Sequence, residues 1–170
     1  MGSLLATKTV GLIGVGRIGS AVAKLAQAFG ARVIGFDPVV NSHNSVELLS
    51  LDEVLNQSDI VSLHVPINDQ THHIVNASAI SRMKPGSIVV NVSRGGLIDE
   101  SALHDALKSQ HLSGAALDCF EDEPYSGPLL QIPGVHVTAH MGSYARETRD
   151  LMEVEASTNL VNGLRKRGLI

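Results

Sequence analysis

The string Gly14-Val15-Gly16-Arg17-Ile18-Gly19 sets three glycines at the spacing G-x-G-x-x-G, and its surroundings narrow what this chain can fold into. An apolar run, Thr9-Val10-Gly11-Leu12-Ile13, leads into it. From Arg17 to Phe29 the apolar residues Ile18, Ala21, Val22, Leu25 and Ala28 return at helical spacing. Strand, tight turn and helix are therefore expected in succession. Asp37 ends the next apolar run, Arg32 to Phe36, near the roughly 20-residue spacing at which a dinucleotide fold keeps an acid. Gly14 permits the turn, Gly16 leaves bare backbone for a pyrophosphate, and Gly19 lets helix and strand approach closely. The anion would then meet the free N–H groups and positive dipole end of the helix, whose first turn holds Arg17 and Ile18. Asp37, followed by Pro38, would accept hydrogen bonds from ribose hydroxyls and repel a 2′-phosphate, so NAD is expected over NADP.

The rest of the chain repeats this alternation. Strands are expected at Ile60 to Leu63, Ser87 to Val90, Ala115 to Leu117 and Val135 to Val137. Most are continuously apolar, as parallel strands buried on both faces require. Helices are expected over Leu51 to Gln57, opened by Ser50 with Glu53 as a capping box, over Ala77 to Met83, and over Glu100 to Gln110 after Asp99. A last long helix is expected from about Ser143 towards Arg167, with a narrow stripe of Ala145, Met152, Ala156, Leu160 and Leu164. The sum is an α/β fold, a doubly wound parallel sheet of the Rossmann type, in one domain over residues 1–170.

Composition excludes several partners. Thirteen Lys and Arg against 17 Asp and Glu give a formal charge of −4, so no broad cationic face exists for nucleic acid or an anionic membrane. With no span-length apolar stretch and a single cysteine, Cys119, the chain is read as cytoplasmic. Cys119 beside Asp118 is expected to be inert. The histidines His43, His72, His73, His104, His111 and His136 show no metal-ligand spacing, and the adjacent pair His72-His73 is expected to point two ways from a loop, so no metal is expected.

Four polar residues fall just beyond predicted strands, at the carboxyl edge where open α/β sheets bind ligands: Arg94, Asp118, Glu123 and His140. A guanidinium, an imidazole and a carboxylate suit one task, clamping a carboxylate substrate while a proton moves to or from the adjacent oxygen. Hydride transfer on a 2-hydroxy or 2-keto acid needs that set.

Six blocks in order also carry a resemblance. They are Gly14 to Gly19, Phe36-Asp37-Pro38, His64-Val65-Pro66, Ser93-Arg94-Gly95-Gly96, Leu117 to Pro124 and Thr138 to Ser143. Together they resemble the nucleotide domain of the D-isomer-specific 2-hydroxyacid dehydrogenases, and within that family the run Gly142-Ser143-Tyr144-Ala145-Arg146-Glu147 is most similar to phosphoglycerate dehydrogenases. The resemblance implies that Arg94 binds the substrate carboxylate, His140 is the acid/base and Glu123 is its carboxylate partner. Asp118 would hold the nicotinamide carboxamide, His64, Pro66 and Thr71 would border the cofactor, and Gly142 would lie in the last cofactor-side block. Family members also have a second, substrate lobe built from chain on both sides of the nucleotide domain. This sequence starts at the first strand, so the lobe is expected to be missing and the chain to turn over slowly or not at all. A homodimer is expected, with Leu97, Ile98 and Leu103 beside the last helix as contact surface. The competing reading is a non-catalytic NAD(H)-sensing or protein-interaction module.

Overall fold

The computed structural model describes residues 2–170 and forms two compact units, one ending at Ala139 and one from His140 to Ile170. The first holds a seven-stranded sheet: β1 (Thr9–Ile13), β2 (Arg32–Phe36), β3 (Glu47–Leu48), β4 (Ile60–Leu63), β5 (Ser87–Asn91), β6 (Leu112–Leu117) and β7 (Val135–Val137). The strand order is β3-β2-β1-β4-β5-β6-β7 and every pairing is parallel. Strand order reverses between β1 and β4, and a ligand of such a sheet binds outside the carboxyl ends at that point.

The doubly wound parallel sheet matches the expectation, with three local differences. β3 has two residues and pairs only with Ile34 and Gly35 of β2, too short to leave a periodic signal. β6 begins at Leu112 rather than Ala115, since Leu112 already pairs with Ser87 of β5; Gly114 interrupts the apolar run, and a Cβ there would come within 2.7 Å of the Gly134 carbonyl oxygen. β5 runs one residue further than expected, to Asn91.

Helices α1 (Arg17–Ala28), α2 (Leu51–Gln57), α3 (Ala77–Arg82) and α4 (Glu100–Lys108) connect the strands. Ser50 and Glu53 close the expected capping box on α2, and Asn76 caps α3 by accepting from the Ala79 N–H. Side chains alternate across β1: Ile13 joins Leu55 of α2, Ile80 of α3 and Leu103 of α4, whereas Val10 and Leu12 pack with Ala23 and Ala26 of α1. Each fully buried Leu or Ile contributes roughly 1.5–3 kcal/mol.

Two apolar sets behave differently from their expectation. On α1 the buried face is the small set Gly19, Ala23 and Ala26, which lets the helix lie close to β1, while Ile18 is 67% and Leu25 64% exposed. Leu97, Ile98 and Leu103 are at most 2% exposed and belong to the core, so they offer no contact surface. The cause is Gly95, whose backbone lies so close to Phe120 that a Cβ would meet its carbonyl, drawing the following turn inward. The second unit contains α5 (Arg146–Lys166), three residues later in starting than expected from Ser143, and none of its residues is buried. Its stripe residues Met152 and Leu160 are exposed.

Asp99 shows how local chemistry starts a helix here. Its carboxylate accepts from the Ser101 and Ala102 N–H groups and from the Ser101 hydroxyl. The Ser101 hydroxyl, with the Ala102 N–H, holds its pKa below the ordinary 3.8. Asp99→Ala is expected to cost about 1 kcal/mol in urea unfolding at neutral pH. A depressed carboxyl contributes above its unfolded pKa and loses that contribution as pH falls through the folded value, so the gap between the two proteins should close below pH 3.8. An equal gap at every pH would show that Asp99 does not act as an ionised cap.

Candidate active site at the carboxyl edge of the sheet

The turn after β1 explains its glycines by contact. Gly14 adopts φ 100°, and a Cβ there would lie 2.7 Å from the His64 carbonyl carbon. At Gly19 a Cβ would come within 2.0 Å of the Gly14 carbonyl oxygen. Gly16 differs from both. A Cβ on it would meet nothing within 4 Å, so its bare backbone is a cradle that a side chain would fill. Helix α1 starts from Gly16 without a side-chain cap, leaving its first N–H groups directed at that cradle. Beside it, Arg17, Ile18, Leu25 and His64 line a cleft of about 490 Å³.

Asp37 stands where β2 ends and reaches back to this turn. One carboxylate oxygen accepts from the Val15 N–H at 2.9 Å, and the other from the Val39 and Val40 N–H groups beyond Pro38, each at 2.9 Å. Burial raises the Asp37 pKa, but the three N–H donors outweigh it and keep the group below its ordinary value. A carboxylate has about four acceptor positions, so after these three bonds capacity remains for a ribose hydroxyl. An anion cradle on a helix N-terminus and an ionised acid beside it fit a dinucleotide.

Across the switch point, His64 follows β4. Burial lowers its pKa, and its Nε2 lies 2.9 Å from the Ser62 hydroxyl, so the ring stays neutral at pH 7. Pro66 is exposed, whereas Thr71 is 1% exposed; the Thr71 hydroxyl donates to the Pro66 carbonyl and accepts from the Asn68 N–H. Thr71 therefore braces the loop that carries Pro66.

The sequence expectation brings Arg94, Asp118, Glu123 and His140 to one place; within the first unit, Arg94, Asp118 and Glu123 all act on the Cys119 thiol. Burial pushes that thiol up to about 11, the Asp118 and Glu123 carboxylates add to the rise, and the Arg94 guanidinium opposes it. The acidic setting visible in the sequence contributes to this rise, and burial is its larger cause. Arg94 itself is exposed, and its guanidinium donates to the Ser93 carbonyl at 2.6 Å. Asp118 is buried and accepts from the Thr138 hydroxyl, while Glu123 accepts from the Phe120 N–H at 3.0 Å. His140 and Gly142 are exposed residues of the second unit, and His140 has a left-handed backbone with φ 54°.

Sequence reasoning passed over the residue that holds this edge in shape. Asn91, 1% exposed at the end of β5, donates from its amide to the Arg94 carbonyl at 2.8 Å and accepts from the Ser93 N–H at 3.1 Å. The Asn91 carbonyl also accepts from the Asp118 N–H at 2.9 Å, tying the Arg94 loop to β6. The signal was a lone amide closing an otherwise apolar run. The His72-His73 pair also departs from expectation: the rings stack, with centroids 4.0 Å apart, instead of diverging, because His73 turns left-handed with φ 49°.

In native protein at pH 8, Cys119 is expected to resist a thiol-reactive aromatic disulfide and to react fully once unfolded in guanidinium. Rapid labelling of the folded chain would contradict the burial described.

The family model "D-isomer specific 2-hydroxyacid dehydrogenase, NAD binding domain" matches residues 1–142. The D-3-phosphoglycerate dehydrogenase of Mycobacterium tuberculosis is 41% identical over 163 residues, covering 93% of this chain and 30% of that protein. The glyoxylate reductase of Korarchaeum cryptofilum is 40% identical over 160 residues, covering 91% of this chain and 48% of that protein. Among solved structures, the D-lactate dehydrogenase of Aquifex aeolicus complexed with NAD and lactic acid superposes with a TM-score of 0.86 at 34% identity, covering 99% of this chain and 56% of that one. The chain thus spans about a third to a half of the curated relatives quoted. With the glycine cradle, Asp37 and the parallel switch point in place, the chain belongs to the D-isomer-specific 2-hydroxyacid dehydrogenase family and carries its NAD-binding domain.

Proposed function

We propose that this chain is the cofactor domain of an oxidoreductase that moves a hydride between NAD(H) and a small D-2-hydroxy or 2-keto acid. The observation that carries the cofactor half is the open backbone at Gly16 beside an ionised Asp37 that is itself bonded to the Val15 N–H. The nicotinamide, when bound, supplies or accepts the hydride. The chain's own groups do the rest. The first N–H groups of α1 hold the pyrophosphate, and Asp37 accepts from the ribose and repels a 2′-phosphate. Asp118, fixed by the Thr138 hydroxyl, is the acceptor for a carboxamide N–H.

For the substrate, Arg94 offers the bidentate donor that a carboxylate requires. His140 is the proposed acid/base, giving a proton to the keto oxygen in reduction and taking it back in oxidation, and Glu123 is its proposed carboxylate partner. The names of the two relatives quoted make 3-phosphoglycerate, a 2-hydroxy acid, and glyoxylate, a 2-oxo acid, the first substrates to assay. By itself the chain is proposed to bind the cofactor with little turnover, because orientation and water exclusion supply several kcal/mol of barrier lowering in such reactions. A homodimer is proposed as well, its contact surface now without Leu97, Ile98 and Leu103.

Two substitutions test the cofactor reading. Gly16→Ala adds a methyl that meets no protein atom, so melting should stay close to wild type while calorimetric NADH binding weakens sharply. Full NADH affinity in that variant would place the pyrophosphate elsewhere. Asp37→Ala should narrow the preference for NADH over NADPH by about tenfold, the effect of removing one charge from beside a phosphate. An unchanged ratio would mean that another group reads the ribose.

A further inference from the structure

We propose that His72, His73 and Glu121 bind one divalent transition-metal ion of the zinc class, at a site distinct from the cofactor cradle and independent of the function proposed above. One ligand atom from each residue, two imidazole nitrogens and a carboxylate oxygen, lies within 4.8 Å of the others. Zinc bonds of about 2.0–2.2 Å place two ligands of one ion about 3.3 Å apart in a tetrahedron. The side chains need to close by roughly 1.5 Å at most, a shift within the reach of an exposed side chain.

The backbone accounts for the meeting. Consecutive side chains of an extended segment point to opposite sides, and His73 escapes that rule through its left-handed φ of 49°. The conformation is pinned at both residues: the His72 N–H donates to the Asn68 carbonyl and the His73 N–H to the Gly96 carbonyl, each at 2.8 Å. Glu121 arrives from the segment after β6, its N–H donating to a Glu100 carboxylate oxygen at 2.8 Å and its own carboxylate touching His73 Nε2. An ion there would take the position of the shared proton in that contact. Stacked imidazoles aim their lone pairs side by side, so the ring of His72, the more exposed residue, tilts towards the ion as the site closes.

The surroundings favour a cation. A cleft of about 640 Å³ adjoins the cluster; Asp99, Glu100, Asp105 and Glu121 line it, and its wall includes no Lys or Arg among the described residues. Two hard carboxylates alone would favour calcium or magnesium; two imidazoles select the transition series. The bound ion would fasten the loop that carries Pro66 and Thr71 to the segment that carries Asp118 and Glu123, stiffening the cofactor-side rim.

The test is a calorimetric titration of the metal-free chain with zinc chloride, repeated on His72→Ala, His73→Asn and Glu121→Gln. Asn tolerates the left-handed backbone, and Gln keeps the shape of Glu121. One zinc per wild-type chain is expected, with affinity reduced about tenfold or more in each variant. Zinc should also shift the ring resonances of both His72 and His73 in the wild type. Melting of the metal-free variants shows that each is folded. Absence of saturable binding up to about 100 μM zinc, or binding unchanged in both His72→Ala and Glu121→Gln, would overturn the site and leave the His73–Glu121 contact as a plain hydrogen bond.

Discussion

At the junction of β1, α1 and β4, three pieces of backbone lie closer together than any side chain permits. Gly14 turns left-handed against the His64 peptide, and Gly19 carries the first turn of α1 under the Gly14 carbonyl. With no Cβ in either gap, the helix begins directly over the carboxyl ends of the two central strands. Its N-terminus, the Val15 N–H and the end of β4 are thereby fixed with respect to one another. The Val15 N–H then anchors Asp37, so the acid that ends β2 is held by the same turn that forms the anion cradle. Substitution at Gly14 or Gly19 disturbs several features together, whereas substitution at Gly16 affects only the open side.

Further along the edge, polar side chains replace glycine as the means of control. Asn91 uses its amide and carbonyl to join the Arg94 loop to the start of the Asp118 segment. Ser93 adds a bond to the Val65 carbonyl at 2.7 Å, linking the loops that follow β4 and β5. Every bond here satisfies a group that burial would otherwise leave unpaired, so the network is both the stabilising element and the positioning device. Charge is held in the same way: Asp37 is kept ionised by N–H donors, His64 neutral by burial, and the Cys119 thiol protonated by burial and its acidic neighbours.

Much of this was legible in the residues themselves. The strand runs from Thr9 and Arg32 were bounded correctly because buried parallel strands are apolar on both faces. The Ser50–Glu53 box and Asp99 announced their helices through capping chemistry that acts within four residues. Less visible were features that depend on chain distant in sequence. Gly114 disguised the start of β6 because its need for glycine comes from Gly134, across a strand pairing. On α1 the periodic apolar residues suggested a buried face, yet close packing on β1 selected Gly19, Ala23 and Ala26. Leu97, Ile98 and Leu103 read as surface in the sequence because nothing local shows that the Gly95 backbone lies against Phe120.

Sequence alone determined the order of elements, the glycine turn, the acid at the end of β2 and the placement of Arg94, Asp118 and Glu123 just past strand ends. These depend on steric rules and periodicities that operate over a few residues. Tertiary structure decided which apolar face each helix buries, which polar groups are consumed as braces, and which side chains share a neighbourhood. Thr71 became a buried loop brace, and His72, His73 and Glu121 became neighbours, because backbone hydrogen bonds between segments far apart in the chain set the direction of each side chain.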